Sequence, residues 1–154
     1  AGVVPYYSEL PSIDMLGLND AWTARHGLEY PFYFAGHVRT STVAYLQERD
    51  VNLMLGSMRD TLVDPDRESY RLSEILDVHP AGDLRNLPSY AEVLEIPTGT
   101  PNRAWRFVYL ERHPKVDAAI DEKGWRTLPI ERTCDDGDID ALAQLFAERT
   151  CPSD

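Results

Sequence analysis

Aromatic rings and short polar side chains are concentrated near the start of this chain, in PYYSELPSIDMLGLND at residues 5–20 and shortly after it. Aromatic rings pack against the CH faces of sugars, while Asp, Asn and His side chains hydrogen-bond sugar hydroxyls. The residues suited to this chemistry are Tyr6, Tyr7, Asp14, Asn19, Asp20, Trp22 and His37. They predict a carbohydrate-binding site. In the alternative interpretation the tyrosines pack in the core, the Asp and Asn side chains cap a turn, and His37 hydrogen-bonds the protein itself.

Paired carboxylates offer a second chemistry, since two acids about 5 or 9 Å apart can hydrolyse a glycosidic bond. The neighbouring pairs are Glu9 with Asp14, Asp64 with Asp66, and Glu92 with Glu95. The chain holds 26 acidic residues, so such pairs also arise by chance on a solvated surface.

Common catalytic and cofactor motifs are missing from the sequence. It has no GxGxxG, GxxxxGK[ST], HExxH or GxSxG motif. The acidic run at 135–140 lacks the twelve-residue pattern of a calcium loop, and helix capping explains it better. We therefore assign no catalytic residue, no metal and no cofactor.

Composition limits the possible partners. A chain of 154 residues is the size of one domain, and its net charge of −11 disfavours nucleic acid as a partner. No apolar run approaches the ~20 residues that a membrane span needs. The chain begins AGVVPYYSEL, with neither an initiator Met nor a signal peptide, so we expect a piece of a longer protein.

Cys134 and Cys151 are the two cysteines. They predict either a disulfide, with the chain folding back along a helix at 138–149, or two separate thiols. A disulfide would indicate an extracytoplasmic compartment.

The sequence pattern predicts short helices. One is AWTARH at 21–26, capped by Asn19 or Asp20 and followed by Gly27. A second begins after Thr40 or Ser41. A third begins near Pro114 and ends at Gly124, with Val116, Ala119 and Ile120 as its buried stripe. The intervening segment 28–37 is predicted to be an aromatic loop.

Apolar runs predict the strands. These are 1–8, a buried strand at 51–56, an antiparallel pair at 91–96 and 104–112, and a last strand beginning at Trp125. The proline-punctuated region 59–90 is predicted to lie on the surface, with a short helix near 69–77. Mingled helices and strands indicate an α/β or α+β class, with one mixed sheet and flanking helices.

The segment AGVVPYYSELPSIDMLGLNDAWTARHG resembles a part of large bacterial membrane glycosyltransferases of the GT-C type. GHVRTSTVAYLQERDVNLML resembles its continuation, so the similarity covers residues 1–56. Within that type, the segment is similar to the actinobacterial arabinofuranosyltransferases, whose relatives are often labelled ZomB-like flagellar motor control proteins. In that family this segment opens an extracytoplasmic domain after the last membrane helix.

The resemblance implies a single extracytoplasmic domain at the C-terminus of a multi-pass protein that transfers arabinofuranose from a polyprenyl-phosphate donor. Its partners would be a cell-wall glycan or arabinan acceptor and its own transmembrane part. The family's general base lies on a loop that has no counterpart in this chain. Two alternatives remain: a free-standing glycoside hydrolase that uses a carboxylate pair, and an interaction module with an apolar patch at Phe32, Tyr33 and Phe34.

Overall fold

The structure is a computed structural model that describes residues 11–29, 39–56, 60–75, 81–84 and 86–131. These residues form a six-stranded mixed sheet, a separate two-stranded sheet and short helices. The predicted α+β class with an antiparallel strand pair is confirmed. The two-stranded sheet is an addition to the prediction of one sheet.

The helices and strands follow one another in short segments. The strands are β1 (Leu28–Glu29), β2 (Arg39–Thr40), β3 (Leu53–Leu55), β4 (Thr61–Leu62), β5 (Tyr70–Arg71), β6 (Glu92–Pro97), β7 (Arg103–Tyr109) and β8 (Arg126–Glu131). The α-helices of the described residues are α1 (Ala21–His26), α2 (Val43–Glu48), α3 (Ala81–Leu84) and α4 (Pro114–Lys123), and a 3-10 helix covers Leu72–Ile75.

The antiparallel hairpin of β6 and β7 lies at the centre of the main sheet, with Val93 opposite Val108. Strands β3 and β4 both pair with β7, β8 pairs with β6, and β5 runs parallel to β8. Between β6 and β7, Gly99 and Asn102 have φ angles of 83° and 57°. This left-handed backbone suits Gly and Asn, so the turn residues match the turn.

One face of the main sheet carries the core. Val93, Val108 and Met54 are fully buried there, and α2 covers them with Val43 and Leu46. Burying these side chains removes apolar area from water, which stabilises the fold by about 25 cal/mol per Å². The strand predicted to be buried at 51–56 therefore contributes Met54 to the core, and the strands predicted as a pair at 91–96 and 104–112 contribute Val93 and Val108.

The region 59–90 differs from its prediction. It was expected on the surface, but Tyr70, Ile75, Leu84 and Leu87 are buried in the core cluster. Their apolar side chains are separated by polar and charged residues, so no regular period marks them. A 3-10 helix and a two-residue strand stand where one short helix was predicted near 69–77.

Helix ends agree largely with the sequence. Asp20 caps α1, Gly27 follows it, and Gly124 ends α4 in the left-handed conformation. For α2 the cap is Thr42, because Thr40 lies in β2 and the hydroxyl of Ser41 is used elsewhere.

Further departures concern packing and the segment after α1. The stripe Val116, Ala119 and Ile120 of α4 is only partly buried, and no residue of that helix is fully buried.

The segment predicted as an aromatic loop begins instead with β1, which pairs with β2. The predicted strand at 1–8, the helix at 138–149 and the Cys134–Cys151 disulfide lie outside the described residues.

Candidate functional site

The motif IDMLGLND folds as a tight polar turn. Both carboxylate oxygens of Asp14 accept backbone N–H groups, from Leu16 at 3.1 Å and from Asn19 at 3.0 Å. The amide of Gly17 donates to the carbonyl of Asp14 at 3.0 Å. Asp14 therefore closes this turn, as Asx side chains commonly do.

The turn is fastened to the rest of the domain on two sides. Ile13 and Met15 pack against the core cluster, and the amide of Ser41 donates to the carbonyl of Met15 at 2.8 Å. The hydroxyls of Thr23 and Ser41, both fully buried, share a hydrogen bond of 2.7 Å. These contacts fix α1 against the start of α2.

Two flat rings meet where α1 and α2 touch. The indole of Trp22 stacks on the ring of Tyr45 with centroids 3.9 Å apart and planes 5° apart. His26 lies beside the indole at 5.7 Å, tilted by 48°. Tyr45 is buried and His26 is exposed, while Trp22 is partly exposed. We call Trp22, Tyr45 and His26 the aromatic platform.

Asp20 links the platform to the helix cap. Its carboxylate accepts the Thr23 amide at 2.7 Å and the Tyr45 hydroxyl at 3.0 Å. Burial alone raises the pKa of Asp20, but these hydrogen bonds and the charge of Arg49 outweigh it and leave the pKa below its ordinary value. Burial, and then the bond to Asp20, raises the pKa of Tyr45. At neutral pH the pair is a carboxylate and a protonated phenol.

The structure brings some predicted site residues together. Asp20 and Trp22 are at the platform, while Asp14 and the exposed Asn19 are joined within the preceding turn. Tyr6, Tyr7 and His37 lie outside the described residues. Tyr45 was not predicted as a site residue, because its partnership with Trp22 joins two helices that are separate in sequence.

The carboxylate pairs considered for hydrolysis are used differently. Glu9 lies outside the described residues. Asp64 and Asp66 are exposed in a turn, where the Asp66 amide donates to the Asp64 side chain at 3.0 Å. Glu92 and Glu95 are three residues apart on β6, which places them on opposite faces of the sheet.

Among the described residues no group of three or more His, Cys, Asp and Glu side chains is arranged to hold a metal ion. In the same part of the chain, no helix has the length and apolar character that crossing a bilayer requires.

Residues 1–109 match the model of a protein family described as a domain of unknown function, DUF8728. The chain belongs to the DUF8728 family. The match spans the polar turn, the aromatic platform and both strands of the central hairpin. Searches of curated proteins and of solved structures give no match.

Gly17→Ala is expected to destabilise the domain more than Gly99→Ala. Both glycines have positive φ, so each substitution costs about 1–2 kcal/mol in the backbone. A Cβ at Gly17 would also lie 3.0 Å from the backbone nitrogen of Ala24, whereas at Gly99 it would meet nothing within 4 Å. Overpacking adds about 1–3 kcal/mol. Urea unfolding of both variants measures the difference, and equal losses would contradict the tight contact.

Asp20→Asn is expected to lower stability at neutral pH but not in strong acid. The folded-state pKa of Asp20 is depressed, so its contribution is complete above the unfolded-state value of about 4. That contribution is lost as the pH falls through the folded-state pKa. Urea unfolding of wild type and variant at about pH 7 and about pH 2 tests this. A stability difference that persists undiminished in acid would show that the charge plays no part.

Proposed function

We propose that this domain binds a neutral glycan on the aromatic platform and holds it as the acceptor for a membrane sugar transferase. The observation that carries the proposal is the partly exposed indole of Trp22, backed by Tyr45 and bordered by Asp20. Sugar sites combine a flat ring with a few polar groups fixed beside it.

Contacts within the domain hold the platform in place without a ligand. Tyr45 covers one face of the Trp22 indole, and its hydroxyl is held by Asp20, which also caps α1. Because Tyr45 itself is only 6% exposed, the exposed part of the platform belongs to Trp22 and His26. A ring fixed in this way loses little entropy when a sugar stacks on it.

Charge favours an uncharged ligand. The chain carries a net charge of −11, which repels phosphate-rich polymers but not neutral polysaccharide. The exposed Asn19 stands one residue before Asp20 and offers an amide for hydroxyl groups.

The transferase part of the proposal rests on the resemblance of residues 1–56 to GT-C glycosyltransferases. The parent protein would transfer arabinofuranose from a polyprenyl-phosphate donor, and this domain would face the cell-wall space beside its own transmembrane part. The domain would select and place the acceptor, while the catalytic base would lie elsewhere in the parent protein.

A free-standing glycoside hydrolase has less support from the geometry. Such an enzyme needs a carboxyl whose pKa is raised so that it can donate a proton. The pKa of Asp60 is lowered by a hydrogen bond from Arg103. Burial raises the pKa of Glu74, but hydrogen bonds from a backbone amide and a guanidinium leave it lowered as well. The pKa of Asp20 is also lowered, so none of these three is the acid. The patch Phe32, Tyr33 and Phe34, invoked for an interaction module, lies outside the described residues.

Trp22→Ala is expected to weaken binding of arabinan oligosaccharides by about tenfold, because a stacked aromatic ring supplies about 0.5–1.5 kcal/mol beyond the apolar area that it buries. NMR titration of the 154-residue chain, following the Trp22 indole N–H, measures the wild-type affinity.

Two further variants separate binding from folding. Trp22→Phe retains a ring over Tyr45 and should retain most of the affinity, while Tyr90→Ala removes an exposed ring elsewhere and should change nothing. The proposal fails if no neutral glycan produces a saturable shift at Trp22, or if Trp22→Ala binds as tightly as wild type while remaining folded.

A further inference from the structure

A concave site lies at the β5 side of the main sheet and shares no lining residue with the aromatic platform. It is an open cavity of about 390 Å³. Its lining residues are Arg67, Ser69, Arg71, Glu74 and Glu131. The volume falls in the range of small-molecule sites, roughly 300–1,000 Å³.

Hydrogen bonds hold the walls of this cavity in place. Nη1 of Arg67 donates to both carboxylate oxygens of Glu74, at 2.8 and 2.9 Å. The amide of Arg71 donates to the same carboxylate at 2.9 Å, and the hydroxyl of Ser69 donates to Glu131. Donors and acceptors are therefore positioned without a ligand.

A buried polar network around Tyr70 holds the Arg67 side of the cavity in place. The ring of Tyr70 is fully buried, and the guanidiniums of Arg67 and Arg106 lie over it at 4.4 and 4.7 Å from its centroid. Its hydroxyl donates to Glu95, which is 3% exposed and lies 3.5 Å from Arg126. Burial, and then the bond to Glu95, raises the pKa of Tyr70 to about 12, so the phenol stays protonated. Buried charges of this kind cost desolvation energy and add little stability, but they hold Arg67 in one position.

Two side chains of opposite charge line the cavity with polar atoms that bond to none of the described residues. Arg71 and Glu131 are register partners in the parallel pair of β5 and β8, so their side chains leave the same face of the sheet. Among the described residues, the Arg71 guanidinium makes no hydrogen bond or ion pair, and one oxygen of Glu131 accepts nothing. The two side chains form no ion pair with each other, although they are register partners, so both charged groups face the cavity with hydrogen-bonding capacity left for a ligand.

The lining selects the chemistry of the ligand. The positive charges of Arg67 and Arg71 equal the negative charges of Glu74 and Glu131 in number. The carboxylates therefore repel an anionic ligand and the guanidiniums repel a cationic one. The lining is almost wholly polar, which leaves an apolar ligand without matching surface. A hydroxyl group can accept a hydrogen bond from a guanidinium and can donate one to a carboxylate. A ligand with neighbouring hydroxyl groups can therefore bond to the arginine and glutamate side chains at the same time.

We propose that this cavity binds a neutral polyhydroxylated ligand, a sugar residue or a related polyol, through Arg71 and Glu131. The site goes beyond the function proposed above, because it uses different residues on a different part of the sheet. It gives the domain a second contact for a carbohydrate, made by hydrogen bonds where the first is made by stacking.

The test is an NMR titration of the 154-residue chain with methyl α-D-arabinofuranoside and methyl α-D-glucopyranoside, each at ionic strengths of about 0.05 and 0.5 M. At least one sugar should shift the amides of residues 69–74 and 131 saturably, with less than about twofold change in affinity between the two salt concentrations. Arg71→Gln and Glu131→Gln should each weaken that affinity by about fivefold or more, since each loses a charge-assisted hydrogen bond.

Controls distinguish this site from the platform. Glu122→Gln removes an exposed carboxylate on α4 and should leave the affinity unchanged, as should Trp22→Ala. Binding at residues 69–74 that survives Trp22→Ala supports the cavity even if the platform binds nothing. Glycan shifts confined to the platform overturn the cavity proposal alone. Salt-sensitive shifts at residues 69–74 with inorganic phosphate or glycine, and none with either sugar, overturn it too, because the ligand would then be charged.

Discussion

The register of the β6–β7 hairpin is the constraint on which the main sheet depends. Five of the six strands either belong to the hairpin or pair directly with it, and β5 joins through β8. Sliding one strand by a single residue would turn Val93 or Val108 away from the core, because side chains alternate between the two faces. The left-handed residues Gly99 and Asn102 fix the connection at one length and so oppose such a slip.

The same register makes the core-facing side of the hairpin apolar at one end of the strands and charged at the other. Val93 opposite Val108 makes one end apolar, while Glu95 opposite Arg106 makes the other end charged. The charged end supports Tyr70 and, through it, the wall of the polar cavity. The aromatic platform depends on another contact, the buried hydroxyl pair that joins α1 to the start of α2. Two candidate carbohydrate contacts thus share one core without sharing a supporting residue.

Local signals in the sequence were sufficient for elements whose ends are set by their own residues. Asp20 and Gly27 bounded α1, and Gly124 ended α4, because caps act within one turn of chain. The stack of Trp22 on Tyr45 was not predictable, since it depends on how two helices pack. Tyr70 was missed for a similar reason: its burial comes from the strands and arginines around it, while its neighbours in sequence are polar.

The outer strands of the main sheet are very short. On one side β3 and β4 offer three and two residues, and on the other side β5 offers two. A strand from another molecule that paired with β3, β4 or β5 could therefore hydrogen-bond to only two or three consecutive strand residues. Natural β proteins use short margins of this kind to avoid polymerising edge to edge. Among the described residues, the margins of the main sheet are therefore poor templates for intermolecular β-structure.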